Sequence, residues 1–206
     1  MYVRITQMKV PAGKLDTVTE TFKQRVIPSA SKQPGYVGAV LAADRETGIV
    51  SGGTYWDTVQ SMNAAEEMGI QVRTTAAEAS GSEIIDVDRF EITVAHRPAG
   101  AATTAFMRVN QFAADPAKLE DGIAFVRDKV VPNVSSQPGF RSLVMGVNRM
   151  TGRGLVVTNW DSKEARDRSE PAVTDQREQA GKIFGGPVKV TLAEMLHAEL
   201  KLPAGV

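Results

Sequence analysis

The chain has 206 residues, and its 24 Lys plus Arg are balanced by 24 Asp plus Glu, so the formal net charge is zero and a nucleic-acid or anionic-membrane partner has no electrostatic support. It has no cysteine and only two histidines, which excludes disulfides, thiolate metal sites and cysteine nucleophiles and argues against a multi-histidine metal site. No apolar run approaches membrane length and the N-terminus lacks a signal-peptide pattern, so we expect a soluble, cytoplasmic protein that binds no metal.

The first half of the chain begins with a predicted strand and helix. Residues 2–10 alternate as a strand does, which places Arg4 and Thr6 on one face. From Lys14 onward, apolar residues recur at steps of three, four and four, which predicts an amphipathic helix. Pro28 is expected to mark the last turn of this helix or a kink in it.

A hairpin, a second helix and a last strand complete the first half. Residues 36–43 and 49–56 are strand-like and are joined by a short glycine-containing loop. Asp57 followed by Gln60 resembles a capping box, and it predicts a helix that runs to about residue 80 with a break near Gly69. Residues 83–94 are a predicted strand, and residues 97–102 are a linker.

The second half repeats the first at a constant offset of 104 residues, with 17 identities in the 56 aligned pairs of 2–57 with 106–161. It predicts a strand at 106–112, a helix at 116–131, a hairpin across 140–160, a second helix from residue 162 and a strand at 188–197. Asp161 and Glu164 repeat the capping signal, and Pro171 is expected to break the second helix or to start a new turn.

Each half therefore has the order β-α-β-β-α-β, a ferredoxin-like arrangement of the α+β class with both helices on one face of the sheet. We assign the two repeats to residues 1–97 and 104–206. An isolated half leaves its second sheet face bare, so we predict that the halves pack sheet to sheet as a pseudo-dimeric α/β barrel.

Three paired motifs carry a family resemblance: Lys-Leu at 14–15 and 118–119, Gln-Pro-Gly-aromatic at 33–36 and 137–140, and Trp-Asp at 56–57 and 160–161. Together they resemble the antibiotic biosynthesis monooxygenase (ABM) family of the dimeric α/β-barrel superfamily, duplicated in tandem. The resemblance implies a pocket between sheet and helices in each half, and an intramolecular pseudo-dimer for which further homo-oligomerisation stays open. That family includes cofactor-independent oxygenases of anthrone-type substrates, haem-degrading enzymes and small proteins of unknown role.

The candidate catalytic residues in the second half are Asn110, Trp160, Arg108 and Asn159. By resemblance, Asn110 and Trp160 match two of the three residues expected of a haem-degrading site. The third, a histidine on the second helix, is missing, so haem is the alternative and a cofactor-free site is preferred. Alternatively, Asn110 is an ordinary polar residue that lines the barrel and has no catalytic role.

The candidate ligand-binding residues in the first half are Trp56, Tyr55, Arg4, Gly52 and Gly53. Trp56 either lines a pocket or simply fills the core, and Tyr55 is a possible proton donor. The two glycines replace a Val-Val pair of the second half, so they either make room for a flat ligand or accept a bulge or a closely packed helix.

Two further residue pairs are ambiguous. Arg4 and Arg108 can stabilise an enolate or phenolate, or they can form internal ion pairs, for which Glu91 and Glu194 are the expected partners. His96 and His197 are possible general bases, although their positions near element ends favour exposure or a packing role. Neither ambiguity is resolved by the sequence.

The preferred hypothesis is a monooxygenase that oxidises a flat aromatic or quinol-like small molecule with O2 and needs no cofactor. The first alternative is a haem-binding or haem-degrading protein, and the second is a non-catalytic binding or interaction module. The volume and lining of the cavity beside each tryptophan should discriminate between an open site and a filled core.

Overall fold

The computed structural model describes residues 1–98 and 106–200. Most of the predicted linker at 97–102 lies outside these ranges. The first repeat contains β1 (Tyr2–Lys9), α1 (Leu15–Thr21), a π-helical turn (Phe22–Val26), α2 (Ile27–Ala30), β2 (Tyr36–Asp44), β3 (Ile49–Trp56), α3 (Val59–Ala64), α4 (Glu66–Ser80) and β4 (Glu83–His96).

The second repeat has the same order of elements. It contains β5 (Phe106–Ala113), a 3-10 turn (Pro116–Lys118), α5 (Leu119–Phe125), a π-helical turn (Val126–Val130), α6 (Val131–Ser135), β6 (Phe140–Val147), β7 (Arg153–Trp160), α7 (Lys163–Arg168), α8 (Glu170–Phe184) and β8 (Lys189–Leu200). The predicted β-α-β-β-α-β order of both halves is confirmed.

The strands follow one another in the hydrogen-bonded order β1-β3-β2-β8-β5-β7-β6-β4, which closes on itself as a barrel. The α+β class and the pseudo-dimeric barrel predicted from the repeat are therefore confirmed. Corresponding strands share the same register, because Arg4 stands opposite Thr54 on β3 and Arg108 stands opposite Thr158 on β7. Side chains at matching sequence positions are thus presented in matching ways to the helices of each repeat.

The chain divides into two compact units, residues 1–89 together with β8 from Glu194 onward, and residues 90–193. Each unit has a core on the helix side of its strands. In the first unit, Leu41 and Val50 pack with Val18 and Phe22, and in the second, Met145 and Phe184 belong to the equivalent cluster. The boundaries 1–97 and 104–206 follow the repeat and stay a prediction.

The start of the second helix differs from the prediction in both repeats. Thr58 is extended and its hydroxyl accepts the backbone N–H of Ser61 at 3.1 Å, so Thr58 caps α3. Ser162 caps α7 in the same way through the N–H of Ala165 at 3.1 Å. The capping boxes predicted at Asp57 and Asp161 were therefore wrong by one residue, because the hydroxyl that follows each aspartate reaches the free N–H group.

The second helix is also interrupted at a different place. The predicted break near Gly69 is wrong, since α3 ends at Ala64 and α4 begins at Glu66. In the second repeat the break falls at Ser169, and Pro171 occupies the first turn of α8, as the sequence indicated. Proline is tolerated there because the first N–H groups of a helix have no intrahelical acceptor.

Each first helix contains a π-helical turn that faces the core. The N–H of Ile27 bonds to the carbonyl of Phe22, five residues back, and Val131 bonds to Val126 in the same way. The helix then continues through Pro28, which therefore lies inside the last turn rather than after it. Wide turns of this kind often occur at functional sites.

Candidate functional site

A pocket lies between the sheet and the helices of each repeat, as the resemblance implied. The first pocket has a volume of about 60 Å³ and is lined by Arg4, Thr6, Met8, Phe22, Val26, Ala30, Leu41, Gly52, Thr54, Trp56, Met68, Gly69, Val72, Arg73 and Ala76. The second has a volume of about 50 Å³ and is lined by Arg108, Asn110, Phe112, Val126, Val130, Val134, Val156, Thr158, Val173, Gln176, Arg177, Ala180, Phe184 and Val188.

An arginine on the first strand of each repeat binds the end of α3 or α7. Arg4 is buried, and its guanidinium donates hydrogen bonds to the carbonyl oxygens of Met62 and Ala65. Arg108 is equally buried and donates to the carbonyl of Arg166 and to the hydroxyl of Ser169. The last carbonyls of α3 and α7 are satisfied in this way, which explains why both helices end where they do.

Each of these arginines is paired with the glutamate that begins the next helix. Arg4 Nη2 lies 2.8 Å from Glu66 Oε2, and Arg108 Nε lies 3.0 Å from Glu170 Oε2. Burial lowers the pKa of both guanidinium groups, and the adjacent carboxylate opposes that effect. The internal ion pairs foreseen for the two arginines are therefore present.

The partners predicted for these arginines were wrong. Glu91 binds Arg149 at 2.6 Å, and Glu194 binds Arg45 at 2.5 Å. Both of these pairs connect β-strands to hairpin loops at the surface. Strand position alone suggested Glu91 and Glu194, whereas the true partners lie on helices that fold back over the sheet.

A second arginine joins the cluster in each repeat. Arg177 on α8 makes a two-point contact with Glu170, with Nη1 to Oε1 at 2.6 Å and Nη2 to Oε2 at 3.1 Å. Its Nε donates to Asn110 Oδ1 at 3.1 Å. In the first repeat Arg73 Nη2 donates to Glu66 Oε1 at 2.7 Å, and Arg89 donates to the other oxygen. In the second repeat, the contact between Arg177 and Asn110 gives the pocket a polar end.

The sequence interpretation missed Glu66, Glu170, Arg73 and Arg177. The signal was present, since Glu66 matches Glu170 and Arg73 matches Arg177 at the same offset of 104 residues that relates the rest of the repeat. In each helix the glutamate and the arginine are seven residues apart, which places both on one face.

The two tryptophans are fully buried at the end of β3 and β7. The indole N–H of Trp56 bonds to Thr54 Oγ1 at 3.2 Å, and that of Trp160 bonds to Thr158 Oγ1 at 3.0 Å. Each ring is 5.9–6.0 Å from the guanidinium carbon of the arginine on the first strand. Trp56 lines the first pocket, whereas Trp160 is not among the residues that line the second.

Asn159 and Tyr55 lie outside the pockets. Asn159 Nδ2 donates to Ser142 Oγ at 2.9 Å, on the side of β7 that faces away from the pocket. Burial raises the pKa of Tyr55 to about 12, so its phenol stays protonated at neutral pH. The structure thus brings Asn110 and Arg108 together at the second pocket and leaves Asn159 apart from them.

The two glycines of β3 differ in their surroundings. Gly52 lines the first pocket, and a Cβ built there would lie 3.2 Å from Phe22 Cε2, whereas Gly53 faces Val3 at 3.4 Å on the other side of the strand. Phe22 therefore fills most of the space that Gly52 leaves. At Gly52 the absent side chain therefore accommodates a closely packed helix, as the second interpretation of the glycine pair had it, and does not leave an open space for a flat ligand.

His96 and His197 line neither pocket. His96 stacks on Phe140 with ring centroids 6.0 Å apart, and His197 lies edge-on to Phe22 at 6.4 Å. Both therefore make packing contacts within their own units. Among residues 1–98 and 106–200, no group of three metal-ligating side chains is assembled, and no helix is long and apolar enough to cross a membrane.

Two ferredoxin-like repeats in one chain supply the eight strands of a single closed barrel, and a pocket lies between sheet and helices in each repeat. This arrangement is a dimeric α/β-barrel fold in fused form. Residues 1–69 match the family model described as antibiotic biosynthesis monooxygenase. The match covers the first repeat from β1 to the start of α4, and it shows that this part of the chain is similar to the ABM family.

A sequence relative and two solved structures match nearly the whole chain. The uncharacterized protein Rv2557 of Mycobacterium tuberculosis is 26% identical over 207 residues, which cover 98% of this chain and 91% of the relative. An anthrone oxidase-like protein has a similar structure, with a TM-score of 0.70, 12% identity and coverage of 100% of this chain and 97% of its own. A haem-degrading enzyme from Listeria monocytogenes has a TM-score of 0.55, 8% identity and coverage of 94% and 99%.

Proposed function

We propose that the second pocket binds a flat, mainly apolar aromatic or quinol-like molecule and promotes its oxidation by O2 without a metal, flavin or haem. The observation that carries this proposal is the Asn110–Arg177 pair, which forms the polar end of a pocket otherwise walled by valine, alanine and phenylalanine side chains. The match of residues 1–69 to the ABM family model and the structural similarity to an anthrone oxidase-like protein support an oxygenase rather than a hydrolase or transferase.

The chemistry requires a stabilised substrate anion. An anthrone or hydroquinone loses a proton to become an enolate or phenolate, and the guanidinium of Arg177 and the amide N–H of Asn110 are donors for its oxygen. The anion transfers electrons to O2, a carbon–oxygen bond forms, and protonation gives a hydroperoxide that loses water. In an anthrone the CH2 group thus becomes C=O, and in a hydroquinone a ring C–H carbon gains one oxygen to give a hydroxyquinone. In both cases one O2 yields one product oxygen and one water molecule.

No lining residue of the second pocket is a strong base. The nearest carboxylate, Glu170, is occupied by Arg177 and Arg108, and the hydrogen bonds from Arg177 lower its pKa. We therefore assign proton removal to water, and we assign to the arginines the role of making the substrate more acidic. The pair of arginines with one glutamate leaves a net positive charge beside the polar end.

A ring-sized substrate needs more room than the about 50 Å³ of the second pocket, since drug-sized ligand sites are about 300–1,000 Å³. We assign the required opening to α8, which is held to the first helix by hydrogen bonds of 2.7 Å from Asn133 Nδ2 to Ala172 O and to Gln176 Oε1. Substrate entry therefore requires α8 to move outward at Val173 and Gln176, and those two hydrogen bonds oppose this movement.

The lining of the second pocket does not fit an axially ligated haem. None of its residues is a histidine, cysteine, tyrosine or methionine, which are the side chains that ligate haem iron. Titration with haemin tests this alternative directly, because a Soret band abolished by Asn110→Ala would favour haem over the cofactor-free reaction.

Oxygen uptake tests the proposal. The purified full-length protein, stripped of metal with a chelator, is mixed with anthrone and with substituted hydroquinones in an oxygen electrode, and the product is identified by mass. We expect uptake above the uncatalysed rate, with incorporation of one atom of 18O2 per product. A panel of such compounds that binds without being oxidised would contradict the proposal and favour a non-catalytic binding module.

A further inference from the structure

The first pocket contains buried guanidinium N–H groups that have no acceptor. Arg73 Nη1 and Arg4 Nε are both inaccessible to solvent and make no hydrogen bond, although both side chains line the pocket. A buried charged donor without an acceptor destabilises the folded state, because it has lost its hydrogen bonds to water. Such groups in a native protein usually mark the place of an unseen water molecule or ion.

The second repeat satisfies the equivalent side chain. Arg177 corresponds to Arg73, and its Nη1 and Nη2 bind Glu170 while its Nε binds Asn110. In the first repeat Thr6 replaces Asn110, and Arg73 keeps only the bond from Nη2 to Glu66. The unsatisfied Nη1 of Arg73 is thus a property of the first repeat. Arg4 Nε has a counterpart in Arg108 Nε, which also makes no hydrogen bond although it lies 3.0 Å from Glu170 Oε2.

The charge of the two clusters also differs. Three guanidinium groups form ion pairs with Glu66. Nitrogen atoms of Arg4, Arg73 and Arg89 lie 2.7–2.8 Å from its carboxylate oxygens. These four groups carry two more positive charges than negative ones. Burial and the neighbouring Arg89 and Arg73 all lower the pKa of Arg4, so a further negative charge would stabilise the cluster.

Gly69 on α4 leaves room for the guanidinium groups of Arg4 and Arg73. A Cβ on Gly69 would lie 2.7 Å from Arg4 Nη1 and 3.3 Å from Arg73 Nη1, so only glycine allows both guanidinium groups to lie under α4 as they do. The second repeat has Val173 at the corresponding position. Both repeats bring two arginines to one glutamate, but only the first leaves space for their guanidinium groups beneath a glycine of the second helix.

We propose that the first pocket is a binding site for a small monocarboxylate with a short apolar tail. A carboxylate accepts charge-assisted hydrogen bonds at two oxygens, and the two free donors, Arg73 Nη1 and Arg4 Nε, supply one N–H for each oxygen. The opposite wall is apolar, with Met8, Phe22 and Leu41. The volume of about 60 Å³ admits an anion of the size of propionate. This site is independent of the oxidation proposed for the second pocket.

The test is an NMR titration of the full-length protein with propionate, followed through the arginine side-chain N–H signals, with propionamide as the uncharged match. We expect saturable downfield shifts of the Arg4 and Arg73 signals with propionate, and at least about tenfold weaker binding of propionamide. Gly69→Val, which introduces the residue of the second repeat, and Arg73→Met should each weaken propionate binding by about tenfold or more.

Arg177→Met is the matched control, because it changes the corresponding residue of the other pocket and should leave propionate binding within about twofold of the unaltered protein. Circular dichroism checks that each variant is folded, and Gly69→Ala replaces Gly69→Val if the larger residue prevents folding. Absence of saturable shifts, equal binding of propionamide, or loss of binding in Arg177→Met but not in Arg73→Met would each overturn the proposal.

Discussion

Asn110 Oδ1 accepts a hydrogen bond from Arg177 Nε at 3.1 Å, and no such bond exists in the first repeat because Thr6 stands at the equivalent position. This one exchange separates two pockets that are otherwise built from matching elements. It orients the guanidinium of Arg177 and leaves the Asn110 amide facing the apolar wall, where it makes one long bond of 3.3 Å to Val156 O. The second pocket is thereby organised around the hydrogen bond between Arg177 and Asn110, whereas the first leaves Arg73 Nη1 without an acceptor.

The Asn110 contact predicts a loss of oxidation when it is removed. Asn110→Thr introduces the residue of the first repeat, removes a donor for the substrate oxygen and frees Arg177 Nε. We expect kcat for oxygen uptake to fall by about 100-fold, the usual effect of losing one oxyanion donor. Gln111→Leu is the control, since Gln111 is the next residue of β5, points to the other side and does not line the pocket. Equal losses in both variants would argue against a role for the second pocket.

The buried arginine of β5 predicts a large effect on stability. Arg108→Met removes the hydrogen bonds to Arg166 O and Ser169 Oγ and leaves Glu170 with one partner fewer. We expect the free energy of unfolding to fall by about 2–4 kcal/mol, measured by urea denaturation.

Arg149→Met provides the matched comparison for Arg108→Met. Like Arg108, Arg149 forms an ion pair. It binds two carboxylates, those of Glu91 and Glu120, but it is half exposed at the surface. Its loss should cost less than about 1 kcal/mol, because exposed ion pairs contribute little. A similar cost for both variants would mean that burial and helix-end contacts do not determine the contribution of Arg108.

A fall in pH should weaken the cluster of Arg108, Glu170 and Arg177 in the second repeat. The hydrogen bonds from Arg177, together with the charge of Arg108, lower the pKa of Glu170 below its ordinary value of 4.5. The native state therefore binds the proton less readily than the unfolded state. The stabilising contribution is complete above the unfolded pKa and is lost as the pH falls through the lower native pKa.

Urea midpoints measured from about pH 6 to about pH 3 test this linkage. Glu170→Gln should reduce the dependence of stability on pH, because glutamine does not titrate, and it should lower stability at neutral pH. Glu164→Gln changes an exposed glutamate of the preceding helix and should leave the slope as it is. Identical slopes for the unaltered protein and Glu170→Gln would show that the Arg177 contact does not perturb Glu170.

The elements of the fold were predictable because the repeat doubles every periodic signal. The steps of Leu15, Val18 and Phe22 identified the buried face of α1, and the strand pattern placed Arg4 and Thr6 on one side of β1. The glutamates that pair with Arg4 and Arg108 were missed because ion pairing depends on how a helix returns over the sheet. Residue spacing within one element carries no information about the distance between an arginine on a strand and a glutamate on a helix.

The candidate site was predictable in part for a similar reason. Asn110 and Arg108 share a strand face, so their common pocket follows from a period of two. Tyr55 and Asn159 were included because each adjoins a tryptophan in sequence, yet neighbours in a strand point to opposite sides. Whether a glycine leaves space or receives a side chain depends on a partner that is distant in sequence, as Gly52 and Phe22 show.

The exchange of Phe22 and Gly52 in the first repeat for Val126 and Val156 in the second predicts that these positions are energetically coupled. Gly52→Val forces its side chain against Phe22, whose ring is 3.2 Å from the new Cβ position, and should cost about 1–3 kcal/mol by overpacking. Phe22→Val alone should cost about 2–4 kcal/mol, because it leaves a cavity.

The double variant restores the combination of the second repeat, so its cost should be smaller than the sum of the two single costs by about 1–2 kcal/mol in a urea-denaturation cycle. Gly53→Val is the control for added strand propensity, since its Cβ meets Val3 at an ordinary 3.4 Å and does not approach Phe22. Combining Gly53→Val with Phe22→Val should therefore give additive costs. Strict additivity for Gly52 and Phe22 as well would mean that the helix of the first repeat does not use the space above Gly52.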